Sequence, residues 1–304
     1  MYYYSLNEYL KNTFGEKVYK ISLNGGMTCP NRDGTLSDKG CIFCSKGGSG
    51  EFSADYRLSV TRQIEQAKAK VKRKIKTNKY IAYFQAFTNT YAPVAYLEKI
   101  FTEAVNNREV AVLSVATRPD CLGRDVLDLL ERLNKIKPVW VELGLQTIHP
   151  KTAEYIRRCY DLSVYNNAVK ELKFRGLQVI THVILGLPNE TKEEMLETVS
   201  YVGKYTDGIK LQLLHVLKGT DLEKEYKNGS FKTLSMEEYI DILCDAVEIL
   251  PENVVIHRLT GDGDKKLLVS PMWSADKKRV LNAINKAFNE KNVTQGRNFK
   301  NTTE

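Results

Sequence analysis

Six short apolar runs punctuate the chain between residues 18 and 214, at 18–23, 80–84, 110–116, 139–143, 177–185 and 209–214. Several are apolar almost throughout, as expected of strands covered on both faces. Between them lie segments with helical spacing. One covers 61–76, with Ile64, Val71 and Ile75 on one side; a second covers 95–106, with Leu97, Ile100, Phe101 and Ala104 as its stripe. Others cover 124–133 and 164–174, the latter stopping at Gly176, and Thr191-Lys-Glu-Glu194 is a capping box opening the next. Strands alternating with helices predict an α/β fold in which helices wrap a parallel sheet. The pattern suits a (β/α)6 unit, built either as a partial TIM-like barrel or as an open doubly wound sheet. Beyond residue 214 the periodicity predicts a helix over 235–250, a short strand over 254–257 and a last helix over 275–289. No linker, repeat or low-complexity stretch divides the chain. We read 1–225 as a core with its N-terminal lead-in, and 226–304 as a C-terminal extension packed on the core and ending in a basic tail.

Polar residues interrupt this pattern where a site is expected. In α/β folds sites gather at the C-terminal ends of the strands. The first strand is followed by Cys29-Pro-Asn-Arg-Asp-Gly-Thr-Leu-Ser-Asp-Lys-Gly-Cys41-Ile-Phe-Cys44, flanked by glycine pairs and therefore a loop. The second leads to Gln85 and Thr88, the third to Thr117, Arg118 and Asp120, the fourth to Glu142 and Gln146, the fifth to His182, and the sixth to Lys210 and Gln212. A single charge in an apolar strand is most simply a structural ion pair; several leading to one mouth point to a polar ligand. The Cys41–Cys44 pair has the spacing of a metal chelate, and Cys29 can fold back across Pro30, Gly34 and Gly40. Zinc would need a fourth ligand, for which His182 and His257 are the candidates. Alternatively, three thiolates hold three irons of a [4Fe–4S] cluster and leave the fourth open, unlike electron-transfer clusters with four cysteines. Cys121, Cys159 and Cys244 read as small core residues.

With 42% apolar and 27% charged residues, the 304-residue chain has a globular composition. It has no run of the roughly 18 apolar residues that suggest a membrane span. Its start lacks a basic stretch followed by an apolar one, so a cytoplasmic location is expected, with cysteines as thiols or metal ligands. The net charge of +8 favours a polyanionic partner. It is concentrated in Lys68, Lys70, Lys72, Arg73, Lys74, Lys76 and Lys79, and between residues 277 and 300, where seven basic residues face one acid, Glu290. A solvated face is the plain reading of such runs. Phosphate contacts from Lys72, Arg73, Lys74, Lys277, Lys278, Arg279 and Arg297 are the sharper one. Tyr2, Tyr3, Tyr4, Tyr91 and Phe299 are candidates for stacking on bases.

In order along the chain, the cysteine loop, Thr117-Arg-Pro-Asp120, Val141-Glu-Leu-Gly-Leu-Gln146, Thr181-His-Val-Ile-Leu-Gly-Leu-Pro188 and Lys218-Gly-Thr-Asp-Leu222 resemble the radical S-adenosylmethionine (SAM) superfamily. The resemblance is nearest to the branch holding the catalytic subunit of Elongator and the compact bacterial YhcC/YtqA-type (MnmL-like) proteins. It implies a partial barrel, a [4Fe–4S] cluster on Cys29, Cys41 and Cys44, and S-adenosyl-L-methionine as cofactor. By position, Gln85, Ala86, Phe87 and Thr88 would meet the methionyl amine, although the usual glycines are absent here. Thr117, Glu142, Gln146 and Gln212 would face the cofactor, Arg158 would pair with the methionyl carboxylate, and His182 would meet the ribose. The first cysteine gap is longer than the commonest spacing, as this branch is known for, and Ala116 stands where many relatives carry an acid. The resemblance further implies a reductant such as flavodoxin or ferredoxin, and tRNA as substrate, with a carboxymethylaminomethyl group on the wobble uridine processed toward aminomethyl. Only about ninety residues follow the sixth strand, so Elongator's acetyltransferase chemistry is not expected. A radical enzyme acting on a small molecule or peptide, and a non-catalytic cysteine–metal module binding nucleic acid, are the alternatives.

Overall fold

The structure, a computed structural model, describes residues 2–71, 77–261 and 263–300. Six strands, β1 (Tyr19–Leu23), β2 (Tyr80–Phe84), β3 (Val110–Thr117), β4 (Val139–Gln146), β5 (Gln178–Leu185) and β6 (Gly208–Leu213), pair in sequence order, all parallel. The sheet curls into a half-barrel, so the partial barrel is what the alternating pattern builds. Next, β7 (Val216–Leu217) leaves the sheet. The strand expected over 254–257 is β8 (Val255–Arg258), and it pairs parallel with β6 as a seventh strand. A last strand, β9 (Leu268–Ser270), pairs antiparallel with β7.

The helices are α1 (Leu6–Phe14), α2 (Val60–Val71), α3 (Val94–Asn106), α4 (Arg124–Asn134), α5 (Pro150–Tyr155), α6 (Leu162–Phe174), α7 (Lys192–Gly203), α8 (Asp221–Lys227), α9 (Met236–Ile249) and α10 (Lys277–Glu290). The sequence pattern anticipates the long ones and misses α1, α5 and α8. Residues 72–76, in which the helix expected over 61–76 ends, lie outside the described residues.

Alternation along each strand divides its side chains between two environments. One set, including Leu113, Val115, Val141, Leu143, Val179 and Leu211, packs outward into the main apolar core beneath the helices. The other set faces the barrel interior. There, Ile81, Val112, Trp140 and Ile180 form an apolar layer near the strand starts, and Leu10 of α1 and Val18 close it from below. α1 can act as this stopper because its ends are fixed. The Ser5 side chain accepts from the Glu8 amide, and Gly15 ends the helix at φ 73°.

The extension supplies the seventh strand, and the backbone of Ser5, just ahead of α1, bridges to Ile256 in that strand. A chain ending at residue 225 would therefore expose the β6 edge and loosen the stopper. We expect it to lack a cooperative thermal transition by circular dichroism, whereas the 304-residue chain melts in one step.

Candidate active site

Above the apolar layer the interior turns polar, and its centre is Glu142 on β4. This carboxylate is fully buried and takes four donors: Lys20 Nζ (2.9 Å) and Ser114 Oγ (2.6 Å) on Oε1, and His182 Nε2 (2.8 Å) and Lys210 Nζ on Oε2. Lys210 also donates to the Tyr83 hydroxyl at 3.2 Å. Burial alone would raise the Glu142 carboxyl, yet Lys20, Lys210 and His182 hold it well below the ordinary carboxylate range. Burial, reinforced by Lys210, brings His182 down to about 4 despite Glu142, so the imidazole is neutral at pH 7. Its Nε2 then carries the proton shared with Glu142. With both oxygens engaged, Glu142 can act on a ligand only through its partners.

The cysteine loop folds over this polar floor. Arg32 staples it: Nη2 donates to the carbonyls of Cys44 (2.7 Å) and Ser45 (2.5 Å), and the guanidinium lies over the Phe87 ring. At Gly48 (φ 56°) a Cβ would meet that ring at 2.3 Å, so only glycine lets the loop approach the β2 exit this closely. The Phe87 amide donates to the Gly48 carbonyl (2.9 Å) and the Thr88 amide to the Thr28 carbonyl (3.2 Å). The fully buried Asn31 uses Nδ2 to reach both the Arg157 carbonyl (2.6 Å) and Cys41 Sγ (3.4 Å).

A cavity of about 270 Å³ lies between loop and floor. Cys29, Cys41 and Cys44 line it, with Gln85, Phe87 and Thr88 from the β2 exit, Thr117 from β3, Glu142 and Gln146 from β4, His182 from β5, Gln212 from β6, and Arg158. Ala86 is buried just behind this wall, against Gly50. Arg158 Nε donates to the Tyr160 carbonyl (3.0 Å) and Nη1 to those of Thr147 (2.6 Å) and Leu145 (3.3 Å), which leaves Nη2 for a ligand. Backbone strain gathers here too. Ser49, Phe87, Gln146, Arg157 and Cys159 are five of the seven non-glycine residues with positive φ among the described residues.

Other expectations are corrected. His257 lines a separate cavity near the strand starts, edge-on to Trp140 at 5.3 Å, and does not join the cysteines. Among the expected core cysteines, Cys244 is buried, but Cys121 is half-buried and Cys159 is exposed. Tyr2 and Tyr3 are engaged edge-on with Phe288, and Tyr4 with Tyr9, so these rings serve packing. Lys72, Arg73 and Lys74 lie outside the described residues. Arg32, Tyr83, Tyr160 and Arg258 also line the cavity and were not anticipated. Lys20, Ser114 and Tyr83 carried the same signal as Glu142, a polar group at an inward position of an apolar strand. Arg32 and Tyr160 carried none.

The donor set suits an iron–sulfur cluster. Burial and the neighbouring Cys44 push the Cys41 thiol up to about 12, and burial also raises Cys44, so these sulfurs need a metal to hold them as thiolates. Among the described residues no three His, Cys, Asp or Glu side chains converge on one metal ion. Thiolates on separate corners of a cube need not converge in that way.

Residues 29–202 match the family model described as Radical SAM superfamily, and residues 206–290 match the Radical_SAM C-terminal domain. The chain belongs to the radical SAM superfamily. It is 45% identical over 303 residues to the uncharacterized protein YtqA of Bacillus subtilis, covering 99% of this chain and 94% of that one. It is 30% identical over 167 residues to a tRNA uridine(34) acetyltransferase of Methanocaldococcus jannaschii, covering 53% of this chain and 30% of that one. The solved structure of an archaeal Methanocaldococcus infernus Elp3 shares the fold, with a TM-score of 0.68 at 20% identity, over 91% of this chain and 64% of that one. As a radical SAM enzyme it uses a [4Fe–4S] cluster and S-adenosylmethionine. Among the described residues no helix is long and apolar enough to cross a membrane.

Two outcomes are expected of this radical SAM site. Cys41→Ala should leave reconstituted protein almost without iron and without the broad visible absorbance of a cluster. The neutral His182 gives a distinct pH signature. The unfolded chain takes up its proton near 6.5 and the folded chain only near 4, so its contribution to stability is complete above 6.5 and is lost as pH falls toward 4. Urea midpoints taken at about pH 7 and about pH 5 should therefore fall more in the parent protein than in His182→Gln.

Proposed function

We propose that this radical SAM enzyme acts on the wobble uridine of tRNA and processes a carboxymethylaminomethyl group at position five toward aminomethyl. What supports the tRNA part of the reading is the 30% identity, over 53% of this chain, to a protein named for uridine 34 of tRNA; the particular step follows from the MnmL-like resemblance. When bound and reduced, the cluster supplies the electron that cleaves a carbon–sulfur bond of S-adenosylmethionine and leaves a 5′-deoxyadenosyl radical. Everything else falls to the chain. Cys29, Cys41 and Cys44 would hold the cluster under the Arg32 staple. Arg158, already fixed by three carbonyls, would offer Nη2 to the methionyl carboxylate. Gln85 to Thr88 would meet the amine, and His182 the ribose. The wall of Thr117, Gln146 and Gln212 would shield the reacting carbon from water. A low-potential donor such as flavodoxin or ferredoxin would deliver the electron.

The geometry also favours one docking face over another. α2 runs from the mouth toward the strand starts, where Lys68 pairs with Glu109, next to the first residue of β3. Its basic end therefore lies away from the cavity opening. α10 begins on the side of the strand ends, just after Trp273, which donates to the Leu234 carbonyl (3.0 Å) and packs on Tyr239 at the start of α9. Lys277, Lys278 and Arg279 in its first turn are exposed. Arg297 is paired with Glu248 at the end of α9 remote from the opening.

Two measurements test this. tRNA from cells lacking the gene should accumulate the carboxymethylaminomethyl nucleoside and lose the aminomethyl one; unchanged wobble nucleosides would remove the reading. Changing Lys277, Lys278 and Arg279 together to Glu should weaken tRNA binding about tenfold and flatten its salt dependence by two to three phosphate contacts, whereas Lys70→Glu should change little.

A further inference from the structure

The turn after β3, Thr117-Arg118-Pro119-Asp120, sends one arginine into the cavity wall without a role in the account so far. Arg118 is 8% exposed. Asp120 grips it with a fork, Nε to Oδ1 at 2.9 Å and Nη2 to Oδ2 at 2.7 Å. Nη2 makes a further bond, to the Arg158 carbonyl at 3.0 Å. The guanidinium also stands 5.2 Å from the centre of the Tyr160 ring, over which Arg158 lies at 4.6 Å. The Tyr160 hydroxyl in turn donates to the Gly144 carbonyl in β4.

These contacts converge on residues 157–160, where the backbone is least able to hold itself. Arg157 and Cys159 both have positive φ, at 58° and 61°, and neither is glycine. Such a conformation is strained for a residue with a side chain and persists only where surroundings enforce it. Asn31 enforces it from the cysteine-loop side, through the Arg157 carbonyl and Cys41 Sγ. Arg118 enforces it from the sheet side. A structural ion pair with Asp120 would be complete without the bond to Arg158, so that bond is what separates a clamp from a surface pair.

We propose that Arg118 is a positioning residue of the radical SAM site, clamping the turn that presents Arg158 and turning the positive end of the Arg118–Asp120 pair toward the cluster cysteines. The second half follows from placement. Arg118 lines the cavity together with Cys29, Cys41 and Cys44, whereas Asp120 does not, so the positive member of the pair is the one on the cysteine side. When the oxidised cluster takes one electron from a low-potential donor, no bond changes and no proton is required. The site simply becomes one unit more negative. A positive pole close by favours that state and a negative pole opposes it. The inference rests on the cluster and not on the identity of the substrate, so it stands or falls separately from the tRNA reading.

The test is an EPR-monitored potentiometric titration of anaerobically reconstituted protein with dithionite, with iron content measured on each sample. Arg118→Gln should shift the reduction equilibrium about tenfold toward the oxidised cluster, equivalent to 59 mV for one electron. Asp120→Asn, which leaves the positive pole uncompensated, should shift it several-fold the other way. Both should weaken S-adenosylmethionine binding to the cluster-loaded protein about fivefold, because both loosen the clamp. Arg118→Lys keeps the charge without the fork, so it should keep the parent potential and lose the affinity. Shifts of the same sign in the Gln and Asn variants, or no shift, would overturn the electrostatic half. Parent-like S-adenosylmethionine affinity in all three would overturn the clamp. Loss of iron from all three would reduce Arg118 to a folding role and overturn both.

Discussion

One buried carboxylate settles what the inside of this half-barrel can be. Glu142 is surrounded by Lys20, Ser114, His182 and Lys210, drawn from β1, β3, β5 and β6, so a single side chain ties together strands that do not all neighbour one another. A buried charge is tolerable only when paired and hydrogen-bonded. Here the pairing also fixes the tautomer of His182 and the reach of Lys210. Below this layer the interior is apolar and closed by α1; above it the interior is polar and open. The Glu142 network is the boundary between a packed core and a binding cavity.

Above that boundary the site depends on loops held in conformations they would not choose. The cysteine loop is pinned by Arg32 and Asn31, the β2 exit by its bonds to Gly48 and Thr28, and residues 157–160 by Asn31 and Arg118. Apart from Arg32, which closes the cysteine loop on itself, each pin joins segments distant in sequence. The strained residues cluster around the cavity because opposing loops are fixed there at once, leaving no freedom to relax. Preorganisation of this kind lets a cofactor bind without first ordering its own site.

The strands, the parallel pairing and the cavity at the strand ends were legible because apolar runs, glycine turns and inward-facing charges are local signals. Cys29, Cys41 and Cys44 were legible from spacing, and Glu142, His182 and Lys210 from being charged or titratable inside apolar strands. Short elements such as α5, α8, β7 and β9 span two to seven residues, too few for any periodicity to emerge. Arg32, Asn31 and Tyr160 act through contacts across the fold, which no local pattern encodes. Exposure is likewise not local, so Cys159 and Cys121 passed for core residues. The two basic stretches looked equivalent as strings of charge. Only the direction of α2 and α10 separates Lys277, Lys278 and Arg279, on the side of the strand ends, from Lys68 and Lys70, on the side of the strand starts.

The apolar stopper at the strand starts has a consequence for the order of events. Because α1 and the layer of Ile81, Val112, Trp140 and Ile180 close one end of the barrel interior, traffic into the cavity is confined to the other. A macromolecule laid across that opening would cover whatever lies beneath it. With such a partner in place, a small cofactor would have had to enter first, and its fragments would leave only after the partner lifted away. A helix of nine residues at the opposite end of the barrel would thus set an order of arrivals and departures.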